Sequence, residues 1–114
     1  MGERPRVEVA GVPVSVDHYV AGRRLSSATS FEDRSPLDWS AVLAEVSAGD
    51  AGVADVALAA ATEAFEGWAA LGPSGRAPYL RRLADLVDER VADLAAVECV
   101  DMAMRHESLR NRVI

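Results

Sequence analysis

The sequence contains no lysine and a single cysteine, Cys99, in 114 residues. One cysteine excludes an internal disulfide and fits a reducing compartment. No run of about 18 apolar residues occurs, so we expect nothing in the chain to span a membrane. The first residues also lack the apolar run of a secretory signal peptide. These absences together predict a cytoplasmic protein.

Positive charge and aromatic side chains are also scarce. The chain has 12 basic and 18 acidic residues, a net charge of −6, which argues against nucleic acid or an anionic membrane as a partner. Aromatic residues make up 5% of the chain, and much of its 50% apolar content is alanine, so the apolar count overstates the core it can build. The length allows one small domain at most.

The first half of the chain carries strand and turn signals. In residues 1–15 valines alternate loosely with other residues, and glycine and proline interrupt the pattern. We therefore expect a frayed N-terminal arm in preference to an edge strand. Residues 16–25 predict a strand that ends in a turn at Ala21 and Gly22. A short extended piece at 29–31 follows. The segment 37–48 fits either a short helix or a strand, and we expect a strand in its second half, which completes a hairpin region over 16–48.

The region 50–106 carries a helical pattern. From Val53 to Trp68, apolar residues recur at alternating steps of three and one, which is the spacing of one helical face. Asp50 stands before this segment as a candidate N-cap. Phe65 and Trp68 are three residues apart and share the face. Each ring buries about 150–250 Å² when it is packed. So short a chain has little surface to cover both rings, so we expect them to form an interface.

A turn at residues 71–75 separates this helix from a second amphipathic helix. Ser74 is the expected N-cap of the second helix, and Pro78 is expected within its first turn. Asp93 is a candidate cap for a third helix that runs to about Met104, after a joint near Val91. The sequence therefore predicts an α+β fragment, in which a hairpin precedes two or three amphipathic helices.

Few side chains are candidates for chemistry. Cys99 follows Glu98, and a neighbouring carboxylate raises a thiol pKa, which disfavours a nucleophile. His18 and His106 have no partner spaced for a catalytic triad. Glu98 and Asp101 lie three apart on one helix and can hold a cation or bond to backbone, of which we favour the second. Neither nucleotide-phosphate glycine motif occurs. We therefore predict no catalytic and no cofactor-binding residue in this chain.

Five segments, which begin in order at Ala21, Phe31, Ala64, Arg76 and Leu94, together resemble the N-terminal region of the aldehyde dehydrogenase superfamily. No single segment is specific, and the resemblance comes from their order and spacing over residues 18–105. The tail from Glu107 to Ile114 is most similar to semialdehyde dehydrogenases of the hydroxymuconic type. The matching residues are Ala21 and Gly22; Phe31 and Pro36; Ala64, Phe65 and Trp68; Arg76, Leu83, Ala84 and Asp85; and Leu94, Ala95, Glu98 and Asp101.

This resemblance implies that residues 16–114 are the start of a cofactor-binding domain. The parent enzyme would oxidise an aldehyde to an acid with NAD(P)⁺ on a cysteine outside this chain, so the chain alone is expected to be inactive. Its partner would be the remainder of the enzyme, packed on Phe65 and Trp68. Asp101 would lie near a structural monovalent cation, and Ala103 stands where the family has a turn glycine. The alternative is a stand-alone, alanine-rich helical interaction module that self-associates through the same two rings.

Overall fold

The computed structural model describes residues 3–104, which form six strands and three helices. Each strand pairs antiparallel with its neighbour in sequence, giving three two-stranded sheets. This is the α+β arrangement expected from the sequence. The strands are Val7–Val9 (β1), Val12–Val14 (β2), His18–Val20 (β3), Arg23–Leu25 (β4), Thr29–Arg34 (β5) and Val42–Ala48 (β6). The helices are Ala51–Ala70 (α1), Gly72–Glu89 (α2) and Val91–Asp101 (α3).

The N-terminal residues form a hairpin, so the prediction of a frayed arm is wrong. In this hairpin Val9 lies opposite Val12, and Ala10 and Gly11 make the two-residue turn, with φ of 51° and 76°. Positive φ at both central residues matches the twist of the flanking strands. Val9 is only 7% exposed. The hairpin is therefore held by burial in the core as well as by its own pairing.

The next two hairpins agree with the sequence. β3 and β4 meet at Ala21 and Gly22, whose φ values of 48° and 78° repeat the geometry of the first turn. β6 confirms the strand expected in the second half of 37–48. Its partner β5 is longer than the expected piece at 29–31, and the register shifts by a bulge between Asp33 and Arg34.

A small core joins the hairpins to the last helix. Val9, Val16 and Ala44 are buried together. Four half-buried valines pack around them, one of them from α3, which ties that helix to the sheets: Val7, Val14, Val46 and Val97. Because valine and alanine are small, this core is short of the volume that a domain of this length usually encloses.

A buried ion pair fixes the residues that precede the first hairpin. The Asp17 carboxylate is fully buried and accepts hydrogen bonds from the Arg4 backbone N–H and Nε, both at 2.7 Å. The Ser47 hydroxyl donates to the same carboxylate at 3.0 Å. The Arg4 backbone hydrogen bond, aided by the Arg4 and Ser47 side chains, holds the pKa of Asp17 below its ordinary value despite burial.

The start of α1 is as predicted, while that of α2 is not. The Asp50 carboxylate caps α1 by accepting from the backbone N–H of Val53 at 2.9 Å. α2 begins at Gly72, not after Ser74, because a φ of 63° at Gly72 lets the chain turn directly out of α1. Pro78 consequently lies inside the helix and not in its first turn. At this interior position proline has no N–H to donate to the preceding turn.

The third helix begins near the expected joint and ends earlier than predicted. The break between α2 and α3 falls at Arg90, and Asp93 lies in the first turn of α3 without acting as its cap. The helix ends at Asp101. Ala103, which stands where the resemblance has a turn glycine, follows with a φ of 52°, a left-handed conformation that strains a residue with a Cβ. The rest of the predicted helical region, residues 105–106, lies outside the described residues.

The first two helices are poorly covered. Neither α1 nor α2 has a buried residue. In the part of the chain from residue 3 to 104, no helix combines the length and apolarity needed to cross a bilayer.

Candidate functional site

The two rings singled out in the sequence project from α1; Phe65 is largely uncovered, and Trp68 is partly covered. Phe65 is 66% exposed and Trp68 is 39% exposed. Only the N-terminal half of the apolar face of α1 is partly covered, where Ala57 and Ala60 lie beside Tyr19 of β3. The small residues of the face therefore approach the sheet, while the large rings at its other end remain open.

Trp68 forms one wall of a groove between α1 and α2. Tyr79 stands edge-on to it, with ring centroids 5.7 Å apart and planes at 69°. The Arg76 guanidinium lies 6.0 Å from the centre of the Trp68 ring, and its Nε donates to the Gly72 carbonyl at 3.1 Å. The groove has a volume of about 450 Å³ and is lined by Trp68, Pro73, Arg76, Ala77 and Leu80.

The apolar surface continues along α2. We call the set Phe65, Trp68, Tyr79, Leu80 and Leu83 the α1–α2 face. Tyr79, Leu80 and Leu83 are each more than half exposed, and their spacing of three and four puts them on neighbouring positions of one helix surface. Monomeric proteins rarely leave large rings and leucines exposed together unless the surface binds something. The chemistry that the α1–α2 face offers is the burial of apolar area against another protein surface.

Asp101, the candidate cation ligand, lies at a second location. It lines a cavity of about 220 Å³ beneath the sheets, together with Asp33 and His18. Its carboxylate interacts with that of Asp33 in β5. Burial and the Asp101 carboxylate raise the pKa of Asp33. Sequence reasoning missed Asp33, because nothing in its local pattern connects β5 to the end of α3.

The cation site itself stays a prediction. Within residues 3–104, no group of three or more histidine, cysteine or acidic side chains is placed to hold a metal ion. Two facing carboxylates attract cations electrostatically, yet a shared proton relieves their repulsion equally well. The two carboxyl groups form a hydrogen-bonded pair of acids, which contributes to the raised pKa of Asp33.

The other reactive groups make structural hydrogen bonds. Cys99 is half-buried and its Sγ donates to the Met104 carbonyl at 2.7 Å. His18 Nε2 and the Ser27 hydroxyl are 2.6 Å apart, which joins β3 to the segment after β4. His106, and the tail that suggested a semialdehyde enzyme, lie outside the described residues. The hydrogen-bond partner of His18 is thus the Ser27 hydroxyl, and that of Cys99 is a backbone carbonyl.

Comparison with known proteins agrees with the resemblance stated from the sequence. The chain is 34% identical over 99 residues to 5-carboxymethyl-2-hydroxymuconate semialdehyde dehydrogenase of Escherichia coli, covering 87% of this chain and 21% of that protein. It is 45% identical over 71 residues to vanillin dehydrogenase of Pseudomonas sp. (strain HR199 / DSM 7063), covering 62% of this chain and 15% of that protein. It is 33% identical over 85 residues to 2-aminomuconic 6-semialdehyde dehydrogenase of a Pseudomonas species, covering 74% and 17%.

The chain thus spans about a fifth or less of the length of these curated relatives. No solved structure matches it. The family model described as "Aldehyde dehydrogenase family" matches residues 23–113. Since that match covers most of the chain, including all three helices and three of the six strands, the chain belongs to the aldehyde dehydrogenase family.

Proposed function

We propose that this chain is the N-terminal portion of an NAD(P)-dependent aldehyde dehydrogenase, and that residues 16–114 form the start of its cofactor-binding domain. The role of the chain in that enzyme is structural: the α1–α2 face docks on the remainder of the protein. The observation that carries this proposal is the exposure of Phe65 and Trp68 on α1, a helix with no buried residue, in a chain whose relative from E. coli is about four times as long.

The parent enzyme would oxidise a semialdehyde or another aldehyde to a carboxylic acid in the cytoplasm. NAD(P)⁺ supplies a hydride acceptor when bound, and we place its site in the remainder of the enzyme, because the sequence here has neither nucleotide-phosphate glycine motif. Cys99 is not assigned as the nucleophile, because its thiol donates to the Met104 carbonyl and because Glu98 is its neighbour in sequence. Asp101 is retained as a candidate ligand of a structural cation.

An activity assay tests the proposed division of labour. The purified 114-residue chain is incubated with NAD⁺ or NADP⁺ and a panel of aldehydes and semialdehydes, and reduced cofactor is followed by absorbance. We expect no turnover above the background without protein. Turnover that survives repurification would overturn the proposal, because it would require a complete active site in this chain.

The alternative function is a self-standing module whose α1–α2 face binds a second copy. The same exposed rings favour it, and sedimentation over a range of concentrations separates the two. A concentration-dependent dimer that Phe65→Asp abolishes would support the module. Leu37→Asp is the matched control, because Leu37 is exposed in the loop between β5 and β6, away from the α1–α2 face. We expect no such dimer. We also expect the natural chain to bind the apolar dye ANS, and Phe65→Asp to bind less of it.

A further inference from the structure

The groove beside Trp68 holds a cation that the described residues do not neutralise. Arg76 uses its Nε on the Gly72 carbonyl, and its guanidinium lies near the Trp68 ring. Among residues 3–104, neither Nη atom of Arg76 has a hydrogen-bond acceptor. Of the nine arginines in residues 3–104, three form ion pairs, namely Arg4 with Asp17, Arg34 with Glu32, and Arg82 with Glu89. Arg76 is one of the six that pair with no carboxylate within these residues, and it is the one that lines this groove.

The surroundings of this guanidinium are apolar. Trp68, Pro73, Ala77 and Leu80 line the groove with it. A purely apolar surface laid over the groove would remove water from the Nη groups without replacing the lost hydrogen bonds, which is unfavourable. A surface that brings a carboxylate would replace them with two parallel charge-assisted bonds, for which the planar fork of arginine is suited. The groove therefore favours one chemical class of occupant.

We propose that the groove binds a segment in which an aspartate or glutamate stands next to a large apolar side chain. The carboxylate accepts from both Nη atoms of Arg76, and the apolar side chain packs between Trp68 and Leu80. This inference rests on the proposed function, because the segment is assigned to the remainder of an aldehyde dehydrogenase. It adds a specific chemical requirement to what is otherwise an apolar contact.

The test uses the intact chain and a set of immobilised peptides. The peptides are about 15 residues long, enough for one strand or a short helix. They tile the part of the E. coli semialdehyde dehydrogenase outside the segment that matches this chain. Each peptide that binds is remade with its aspartates and glutamates changed to the amides. Binding is measured for the natural chain, for Arg76→Gln, for Arg76→Lys and for Arg81→Gln. Arg81 is an exposed arginine of the same helix that does not line the groove, so its variant is the matched control.

We expect the bound peptides to carry a carboxylate beside a large apolar residue. The amide change should weaken their binding to the natural chain and to Arg81→Gln about tenfold. It should weaken binding to Arg76→Gln by less than about twofold, since the charge partner is already gone. Arg76→Lys should fall between the two, because lysine keeps the charge and loses the fork. Circular dichroism of each variant confirms that the helices are intact.

Other outcomes overturn the inference in distinguishable ways. Peptides that bind through apolar side chains, with no loss on the amide change, would remove the role of Arg76 and leave the docking proposal standing. Failure of every peptide to bind would count against both. A concentration-dependent dimer abolished by Arg76→Gln would place a second copy in the groove and refute the assignment to another segment.

Discussion

The contrast between Phe65 and Val9 gives the sharpest test of how this chain distributes its stability. Both are apolar residues in regular structure, but Phe65 is 66% exposed and Val9 is 7% exposed. Truncating each to alanine removes a large ring from an open surface in one case and two methyl groups from the core in the other. If the α1–α2 face is uncovered, the smaller truncation must be the more damaging.

The structure sets the expected magnitudes. About 70 Å² of Phe65 is covered, which is worth at most about 1.7 kcal/mol. Alanine regains about 0.5–0.7 kcal/mol through its helix propensity, so Phe65→Ala should cost about 1 kcal/mol or less. Val9→Ala loses about 1.6 kcal/mol of transfer free energy and leaves a cavity, giving about 2 kcal/mol in total.

Amide hydrogen exchange measured by NMR is the appropriate assay, because it reports stability even when the helices and the sheets do not unfold together. The Ser47 N–H, which donates to the Val16 carbonyl at 3.0 Å, is the reporter for the core. We expect Val9→Ala to speed its exchange by about 30-fold and Phe65→Ala by about fivefold or less. Equal acceleration by both variants would refute the reasoning, since it would mean that the ring is already packed by the chain itself.

Three further outcomes follow from local geometry. Ala103→Gly should stabilise the chain by about 0.5–1 kcal/mol in urea unfolding, because glycine accepts the positive φ without strain; no gain would argue against that conformation. Asp50→Ala should cost about 1 kcal/mol by removing the hydrogen bond to the Val53 N–H, whereas Asp55→Ala, which caps nothing, should cost less than about 0.5 kcal/mol. Because the pKa of Asp33 is raised, its contribution to stability is most favourable below its ordinary value of 3.8 and is lost as pH rises through the folded-state pKa. Asp33→Asn should therefore be more stable than the natural chain at neutral pH, with the advantage disappearing in acid; an advantage that stays constant with pH would exclude the pair with Asp101.

Local sequence signals predicted those parts of the fold that depend on neighbouring residues. The turn at Ala21 and Gly22, the Asp50 cap and the strand before it follow from short-range chemistry. Ala10 and Gly11 form the same kind of turn, but the tendency of chain termini to be unordered favours the frayed arm, which is wrong. What the pattern did not reveal is that Val9 is buried together with Val16 and Ala44, and that burial decides whether the terminal hairpin is ordered.

In the candidate site, too, features set by neighbouring residues are predictable from the sequence, and features set by distant contacts are not. Helical spacing places Phe65 and Trp68 on one face, and the structure leaves both exposed there. The start of α2 depended on the unusual conformation of Gly72, so the position of Arg76 over Trp68 was not foreseeable. The pairing of Asp33 with Asp101 joins β5 to α3, and no local pattern carries such long-range information.

The way the strands pair has a consequence for synthesis on the ribosome. Each of the three ladders joins strands that are adjacent in sequence, and two of the three close through a single dipeptide. Hairpins form in about 1–10 μs, whereas translation adds about 5–20 residues per second. All three ladders can thus be complete on the nascent chain before α2 has left the exit tunnel, and the growing polypeptide meets its later-made segments as a set of preformed β-hairpins.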